Sequence, residues 1–418
     1  MKATILTIGD ELLIGQVVNT NASWLGEQVS LLGIDVAQII MLGDDDEAIH
    51  DALARSHETT DLIILTGGLG PTHDDLTVEA VAHFFSASLH TDQAILDKIT
   101  ARFERRNRTM PEANRKLALV PEGFEVLANT VGTAPGLWFA NGDEHIVVIL
   151  PGVPREMKAI FEQGVVPRLR QRKGLRAIRH RTLLTTGIGE SNLQEKIGDL
   201  SEMLGPSLRL AYLPSTRGVR LRLTAMGEDN EAVEGSLDRL EARLREKAGR
   251  YIYGMGDDSL EAVLGRLLTE RDLTVAVAES CTGGHVLNLL TNIPGSSAYV
   301  VGGVVAYANS VKQEQLGVSA DVLAAEGAVS EAVVLQMAEG VRTHLGADIG
   351  LATTGVAGPG GGTADKPVGT VWIGYADADG SKALLLRLTH DREMNKELSS
   401  TGVLELVRRQ VLGKGPRS

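Results

Sequence analysis

Four short glycine runs constrain this chain more than any other feature: Gly67-Gly68-Leu69-Gly70, Gly283-Gly284, Gly302-Gly303 and Gly358-Pro359-Gly360-Gly361-Gly362. Glycine runs beside apolar, β-like segments let the backbone take positive φ or let a ligand approach it closely. Tight turns would explain any one run. Several of them, each following an apolar segment, favour a nucleotide-type ligand. The glycines are not periodic, which excludes collagen.

Strand and helix signals alternate between the runs. Ala3–Ile8, Val36–Leu42, Leu62–Thr66 and His145–Leu150 read as strands. Leu62–Thr66 is apolar almost throughout, as a strand buried on both faces of a parallel sheet must be. Asn19–Leu32 has helical spacing, and a second helix fits Asp75 to Phe85. This βαβ alternation over residues 1–167 predicts a doubly wound α/β domain with ligand sites at the carboxyl ends of the strands. A basic run follows (Arg168, Arg170, Arg172, Lys173, Arg176, Arg179, Arg181), with no acidic residue between Glu162 and Glu190. Without interleaved aromatics for base stacking it reads as a solvated linker face. Residues 168–255 then read β-α-β-β-α-β, a small α+β module with strands Leu208–Leu213 and Val219–Met226 and a helix over Glu231–Lys247. Residues 256–418 form a second α/β block. It opens with an amphipathic helix from Leu260 to Leu268, and strands fit Thr274–Ala278, Ala298–Ala306, Ile349–Thr353 and Val368–Tyr375. Helices fit residues 282–291, 330–345 and 392–411, and a low-complexity tail closes the chain at Gly413–Ser418.

Composition narrows the function classes. At 418 residues, 43% hydrophobic and 23% charged, the chain carries apolar material for more than one core. Aromatics are 4%, so those cores must be built from Val, Leu, Ile and Ala. The net charge of −13 argues against coating nucleic acid or an anionic membrane. No run approaches the roughly 18 apolar residues of a membrane span, and the N-terminus lacks the apolar region of a signal peptide. Cys281 is the single cysteine, which excludes an intrachain disulfide and a thiolate metal cage. A cytoplasmic protein is expected, with no membrane and no nucleic-acid partner.

Chemistry concentrates in the last block. The strand Thr274–Ala278 runs into Glu279-Ser280-Cys281-Thr282-Gly283-Gly284. A helix starting there would offer unpaired N–H groups to an oxyanion or a phosphate. Taken alone, a helix cap is the commoner reason for Ser280 or Thr282 at such a place. The G-x-S-x-G elbow of an α/β-hydrolase is absent. A serine nucleophile needs a base. His285 is near in sequence, but Lys312, in Tyr307-Ala308-Asn309-Ser310-Val311-Lys312, is the stronger candidate. A lysine desolvated at a strand end can be neutral near physiological pH. A surface lysine beside a core tyrosine is the bland alternative. Further on, Thr353-Thr354-Gly355-Val356-Ala357-Gly358-Pro359-Gly360-Gly361-Gly362-Thr363 ends a strand in hydroxyls and a glycine-rich loop, the composition of an anion nest. No Gly-Lys-Ser/Thr closes it, so it is not a Walker A loop.

The ordered set Ala-Glu-Ser-Cys-Thr-Gly-Gly, Tyr-x-Asn-x-x-Lys, Thr-Gly-x-Ala-Gly-Pro-Gly-Gly-Gly-Thr and Lys-Pro-Val-Gly-Thr-Val resembles the C-terminal domain of the CinA family, the nicotinamide-mononucleotide deamidases. That resemblance implies a C-terminal α/β/α deamidase domain needing no cofactor. It makes Ser280 the nucleophile, Lys312 the base, Tyr307 a proton relay and Thr354 a positioning group. Thr282, Gly283, Gly284, Gly358, Gly360, Gly361, Arg392 and Lys396 would bind substrate. In the family's late Asp-Arg-x-x-x-Arg motif this chain has Lys396 in the second basic place, which keeps charge but loses bidentate phosphate geometry. Arg392 and Lys396 are also expected to help depress the Lys312 pKa.

The first block has its own match. Thr7-Ile8-Gly9-Asp10-Glu11-Leu12-Leu13-x-Gly15, Asn19-Thr20-Asn21, Thr66-Gly67-Gly68-Leu69-Gly70-Pro71-Thr72-His73-Asp74-Asp75-x-Thr77 and Leu150-Pro151-Gly152-Val153-Pro154 resemble molybdopterin-binding domains. They resemble still more the N-terminal domain of full-length CinA proteins, which is linked to ADP-ribose pyrophosphatase activity. Gly67, Gly68 and Gly70 would hold the nucleotide. Asp10, Asp74 and Asp75, at strand ends, can hold a divalent cation (Mg2+, Mn2+ or Co2+) against a pyrophosphate. Capping the next helix is the alternative for Asp74 and Asp75. The middle module resembles the family's KH-like insert without a G-x-x-G clamp, and reads as a spacer. The resemblance implies a pyridine-nucleotide salvage hydrolase, expected as a homodimer, acting on nicotinamide mononucleotide and ADP-ribose. The alternatives are a molybdopterin-binding protein and a competence-related, nucleic-acid-associated factor.

Overall fold

The computed structural model describes residues 1–105, 107–142, 145–172 and 177–413. Of the basic run, Lys173 and Arg176 lie outside the described residues, as do residues 414–418 of the tail. By internal contacts the chain resolves into two compact units, residues 1–180 with 225–236 and residues 181–224 with 237–418.

The first block alternates as its apolar pattern requires. Its strands are β1 (Lys2–Ile8), β2 (Asp35–Leu42), β3 (Leu62–Thr66), β4 (Leu89–Thr91), β5 (Leu119–Pro121), β6 (Glu125–Leu127), β7 (Gly136–Asn141) and β8 (His145–Leu150). Its helices are α1 (Asp10–Leu13), α2 (Thr20–Leu31), α3 (Asp46–Thr59), α4 (Thr77–Phe84), α5 (Gln93–Glu104), α6 (Pro154–Ile160) and α7 (Val166–Arg170). Six strands form one sheet in the order β2-β1-β3-β8-β7-β6, with β4 and β5 paired separately. The first four run parallel, and β7 and β6 are antiparallel additions at one edge. Both faces are covered. Leu6, Ile63, Leu65, Val147 and Ile149 pack with α3, α4 and α5, while Ile5, Ile64 and Val148 pack with α2 and α6. Burial on both faces is what an unbroken apolar β3 needs.

The middle module has β9 (Ala177–Thr185), α8 (Glu190–Ile197), β10 (Leu208–Ser215), β11 (Gly218–Gly227), α9 (Asn230–Ala248) and β12 (Ile252–Met255). This is the β-α-β-β-α-β order read from the sequence, and the sheet order is β10-β11-β9-β12.

The last block comprises α10 (Leu260–Glu270), β13 (Val275–Glu279), α11 (His285–Thr291), β14 (Val300–Val305), α12 (Asn309–Leu316), α13 (Ala320–Glu326), α14 (Glu331–Leu345), β15 (Ile349–Gly355), β16 (Thr370–Asp377), β17 (Gly380–Arg387) and α15 (Arg392–Gly413). The sheet order is β14-β13-β15-β16-β17, with β14, β13 and β15 parallel and β16 and β17 antiparallel. Val275, Val277, Leu351 and Ile373 pack beneath α10, α11 and α15, whereas Ala276, Ala278, Ala352 and Ala376 pack beneath α12, α13 and α14. The small residues on the second face let α14 come close to the sheet. It is an α/β/α sandwich. Among the described residues no helix is long and apolar enough to cross a membrane.

One buried ion cluster supports this block. The Glu405 carboxylate accepts from Arg408 Nε (2.7 Å) and Nη2 (2.9 Å) and from Arg409 Nε (2.6 Å), and Arg408 Nη2 also donates to the Arg250 carbonyl (3.0 Å). Glu405 and Arg408 are both buried. Removing one partner of such a cluster strands the other charge in low dielectric. Glu405→Ala is therefore expected to lower unfolding stability by about 3 kcal/mol, read as a shift of the urea midpoint. A midpoint equal to the wild type's would show that water reaches Arg408.

Candidate functional site

Parallel pairing brings the carboxyl ends of β13, β14 and β15 to one level: Glu279 is in register with Val305 on one side and with Thr353 on the other. Ser280 follows β13 directly, is 9% exposed, and its N–H donates to the Thr353 carbonyl at 3.0 Å. After β14 the chain turns into α12, whose first turn carries Lys312. This lysine is 1% exposed, and its Nζ lies 3.2 Å from Ser280 Oγ, 2.8 Å from the Ala306 carbonyl and 3.2 Å from the Tyr307 carbonyl. Burial lowers its pKa from the usual lysine value. Arg392 and Lys396 do not contribute, so burial alone does what their charge was expected to assist. Next to Ser280, burial pushes the Cys281 thiol up to about 12, which keeps it protonated and poorly nucleophilic at neutral pH.

The remaining expected residues divide. Thr282 joins the site through a hydroxyl pair with Thr353 at 2.7 Å. Thr354 turns its hydroxyl to the Ala328 carbonyl (2.7 Å), which fixes the segment leading into α14. Tyr307 is 66% exposed, and the part of it that reaches Lys312 is its carbonyl. Gly283 and Gly284 sit in the turn after Ser280 with φ of +64° and +98°. The helix start expected to be open to an oxyanion is occupied: Glu279 Oε2 accepts from Gly284 N (2.9 Å) and Val286 N (3.1 Å), and Oε1 from Leu287 N (2.8 Å). An acidic residue closing an apolar strand five positions before a glycine was the signal for it, and sequence reasoning passed over it.

The glycine-rich loop is pinned from α15. Gly358 has φ +94°, and a Cβ there would meet Val368 Cγ1 at 2.6 Å, so only glycine fits. Arg392 Nη1 donates to the Gly358 carbonyl at 2.7 Å. Asn395, fully buried, donates through Nδ2 to the Ala357 and Thr389 carbonyls (both 3.0 Å) and accepts at Oδ1 from Thr389 N (2.9 Å). Lys396 stands 3.9 Å from Glu393 on the same helix. The buried polar group of that motif is thus Asn395, a residue the basic pattern had hidden. Gly360 and Gly361 lie in an exposed stretch of the loop.

The first block ties its motifs together through side-chain hydrogen bonds. Asn19 Nδ2 donates to Thr7 Oγ1 (2.9 Å), Asn21 Nδ2 to the Gly152 carbonyl (2.7 Å), and Thr77 Oγ1 to the Gly67 carbonyl (2.9 Å). At φ +109°, Gly67 lies so close to the Ile8 carbonyl that a Cβ would sit 2.1 Å from it. A pocket of about 520 Å³ is lined by Gly67, Gly68, Gly70 and the carboxylates Glu11, Asp44, Asp74, Asp75 and Glu156. Asp10, Asp74 and Asp75 do not converge. Asp75 accepts from Gly70 N (2.7 Å), Thr72 N (2.9 Å) and the Thr72 hydroxyl, Asp74 lies 2.9 Å from His73, and Asp10 Oδ1 accepts from Asp44 N (3.3 Å). Asp44 has a raised pKa, chiefly from burial and secondarily from the charges of Asp10, Glu11 and Asp75. Among the described residues no group of three or more His, Cys, Asp or Glu side chains is placed to hold a metal ion. These carboxylates do not fit a cation in their present hydrogen bonds.

Comparison with known proteins finds matches over three successive stretches of the chain. Residues 4–171 match the family described as "Probable molybdopterin binding domain", residues 180–254 the damage-inducible protein CinA KH domain, and residues 257–411 the CinA C-terminal domain. A CinA-like protein of Salinibacter ruber is 54% identical over 98% of this chain and 99% of its own length, and one of Chloroherpeton thalassium is 45% identical over 98% and 99%. The crystal structure of CinA from Thermoplasma acidophilum is 36% identical, covers 40% of this chain and 97% of that one, and superposes with a TM-score of 0.38.

Proposed function

The chain belongs to the CinA family, and from that premise we propose that its C-terminal domain deamidates nicotinamide mononucleotide to nicotinate mononucleotide and ammonia. One observation carries this reading. A buried lysine amine, its pKa lowered by burial, lies 3.2 Å from a serine hydroxyl at the carboxyl end of a central strand. A neutral amine there can take the Ser280 proton as Oγ bonds to the carboxamide carbon. The C–N bond then breaks, and the lysine returns the proton to the leaving nitrogen, which departs as ammonia. Water, deprotonated in turn by Lys312, then bonds to the acyl carbon. As the bond from that carbon to Ser280 Oγ breaks, Lys312 returns the proton to Oγ and the acid is released. Lys312 holds its place through the Ala306 and Tyr307 carbonyls. No proton is routed through the exposed Tyr307 phenol. Thr354 fixes the segment leading into α14 through the Ala328 carbonyl, and in this reading the loop pinned by Arg392 and Asn395 is the part that would meet the nucleotide. Purified protein incubated with nicotinamide mononucleotide should release equal amounts of ammonia and nicotinate mononucleotide. Unchanged substrate across the pH range would sink this reading.

A second reading concerns the first block. Its pocket has glycine backbone on one side and five carboxylates around it, and those carboxylates as hydrogen-bonded gather no cation. The pocket thus suits a nucleotide diphosphate such as ADP-ribose only if a divalent cation arrives on the diphosphate itself and offsets the repulsion. ADP-ribose cleavage is therefore expected to need added Mg2+, Mn2+ or Co2+ and to stop with EDTA. Deamidation should continue unchanged in EDTA. Loss of both activities on chelation would contradict two independent chemistries.

A further inference from the structure

We propose that Glu279 is a positioning residue for Ser280, holding the nucleophile's turn from the opposite face of the sheet. This rests on the reading of Ser280 as the nucleophile. Side chains alternate along β13: Val275 and Val277 face α10, α11 and α15, and Ala276 and Ala278 face α12 to α14. A period of two puts Glu279 on the first face and Ser280 on the second. Glu279 is 2% exposed, and its carboxylate accepts all three N–H groups of Gly284, Val286 and Leu287. Hydrogen bonds to a carboxylate are shorter and stronger than neutral ones. The turn from Ser280 to Gly284 is thereby tied at both ends. Ser280 N–H and the Thr282 hydroxyl bond Thr353, and Gly284 N–H bonds Glu279. Gly283 and Gly284 give that turn little stiffness of its own. Its geometry must come from outside it, and Glu279 supplies the far anchor. Glu279 is not among the groups that shift Lys312, so it acts on where Ser280 points rather than on the base.

Glu279→Gln keeps the shape and replaces one acceptor oxygen by a donor, which cannot receive these N–H groups. A misplacement of about 1 Å costs on the order of 10²-fold in rate. For nicotinamide mononucleotide, kcat should therefore fall by about 10- to 100-fold, with KM within about threefold and the midpoint of the pH profile unmoved. Phosphonylation of Ser280 by a fluorophosphonate should slow in parallel. Glu279→Asp keeps the charge but withdraws the acceptor, and should lose kcat similarly. A kcat near wild type in Glu279→Gln with only a lowered melting temperature would overturn the proposal, leaving Glu279 as a helix cap. A shifted pH midpoint with kcat recovered at the new optimum would overturn it in favour of an electrostatic role, as would normal kcat in Glu279→Asp. Ser280→Ala is run beside them. Activity surviving in that variant would refute the nucleophile itself, whereas a dead Ser280→Ala beside a fully active Glu279→Gln refutes only the positioning role.

Discussion

Replacing Ser280 with alanine is expected to lower kcat/KM for nicotinamide mononucleotide by at least about 10³-fold, the scale seen when a covalent nucleophile is removed. The loss should be in kcat, because the hydroxyl does its work by bonding to the carbonyl carbon and contributes little to holding the nucleotide. Folding should be nearly untouched. Lys312 keeps the Ala306 and Tyr307 carbonyls as partners, and Ser280 keeps its N–H bond to Thr353. A single hydrogen bond is worth about 1 kcal/mol, so the melting transition should shift by only a few degrees. Steady-state kinetics with the melting temperature measured on the same preparation decides the matter. Turnover near wild type would reduce Ser280 to a turn residue.

Lys312→Arg should lose about 10²- to 10⁴-fold in kcat, the usual contribution of a general base. The guanidinium stays protonated and cannot accept the Ser280 proton. Nucleotide binding should survive, since the positive charge remains. An unsubstituted lysine titrates near about 10.4, and burial places Lys312 below that. In wild type kcat/KM should rise with pH as the amine loses its proton and level off below the ordinary lysine range. The substrate phosphate stabilises the ammonium, so the midpoint in kcat should lie above that in kcat/KM. The same shift has a stability consequence. Between the lowered folded value and about 10.4 the unfolded chain binds more protons at this lysine than the folded one, so stability gains with rising pH across that window. That gain should vanish in Lys312→Met, compared with wild type by urea unfolding at a series of pH values. A kcat near wild type in Lys312→Arg would make the lysine an electrostatic anchor and move the base elsewhere.

Much of the scaffold was legible because burial writes itself into apolar pattern. Leu62–Thr66 and His145–Leu150 are strands with the bounds the sequence suggests, and the middle module has the order read from it. What escaped was weakly patterned. β17 is an edge strand carrying Ser381, Lys382 and Arg387, and α13 is a seven-residue helix. β6 is three residues long and pairs with β7 over only three positions, too few to show as a period.

The sequence by itself determined which faces are buried, where the glycine loops fall, and that a serine and a lysine end neighbouring segments of one block. Only the tertiary structure decided what meets what. Lys312 reaches Ser280 because β13 and β14 are adjacent, parallel and in register at Glu279 and Val305, and sheet order is not encoded in the period of any single strand. The same packing turned Thr354 toward Ala328, left the Tyr307 phenol outside, hid Glu279 behind the serine, and engaged Asp10, Asp74 and Asp75 with separate partners. Periodicity fixes the side of an element on which a residue lies. The direction of a polar side chain within that side is settled by whichever unpaired N–H or carbonyl the neighbouring element brings within reach, because a buried polar group left unpaired costs about 1–3 kcal/mol.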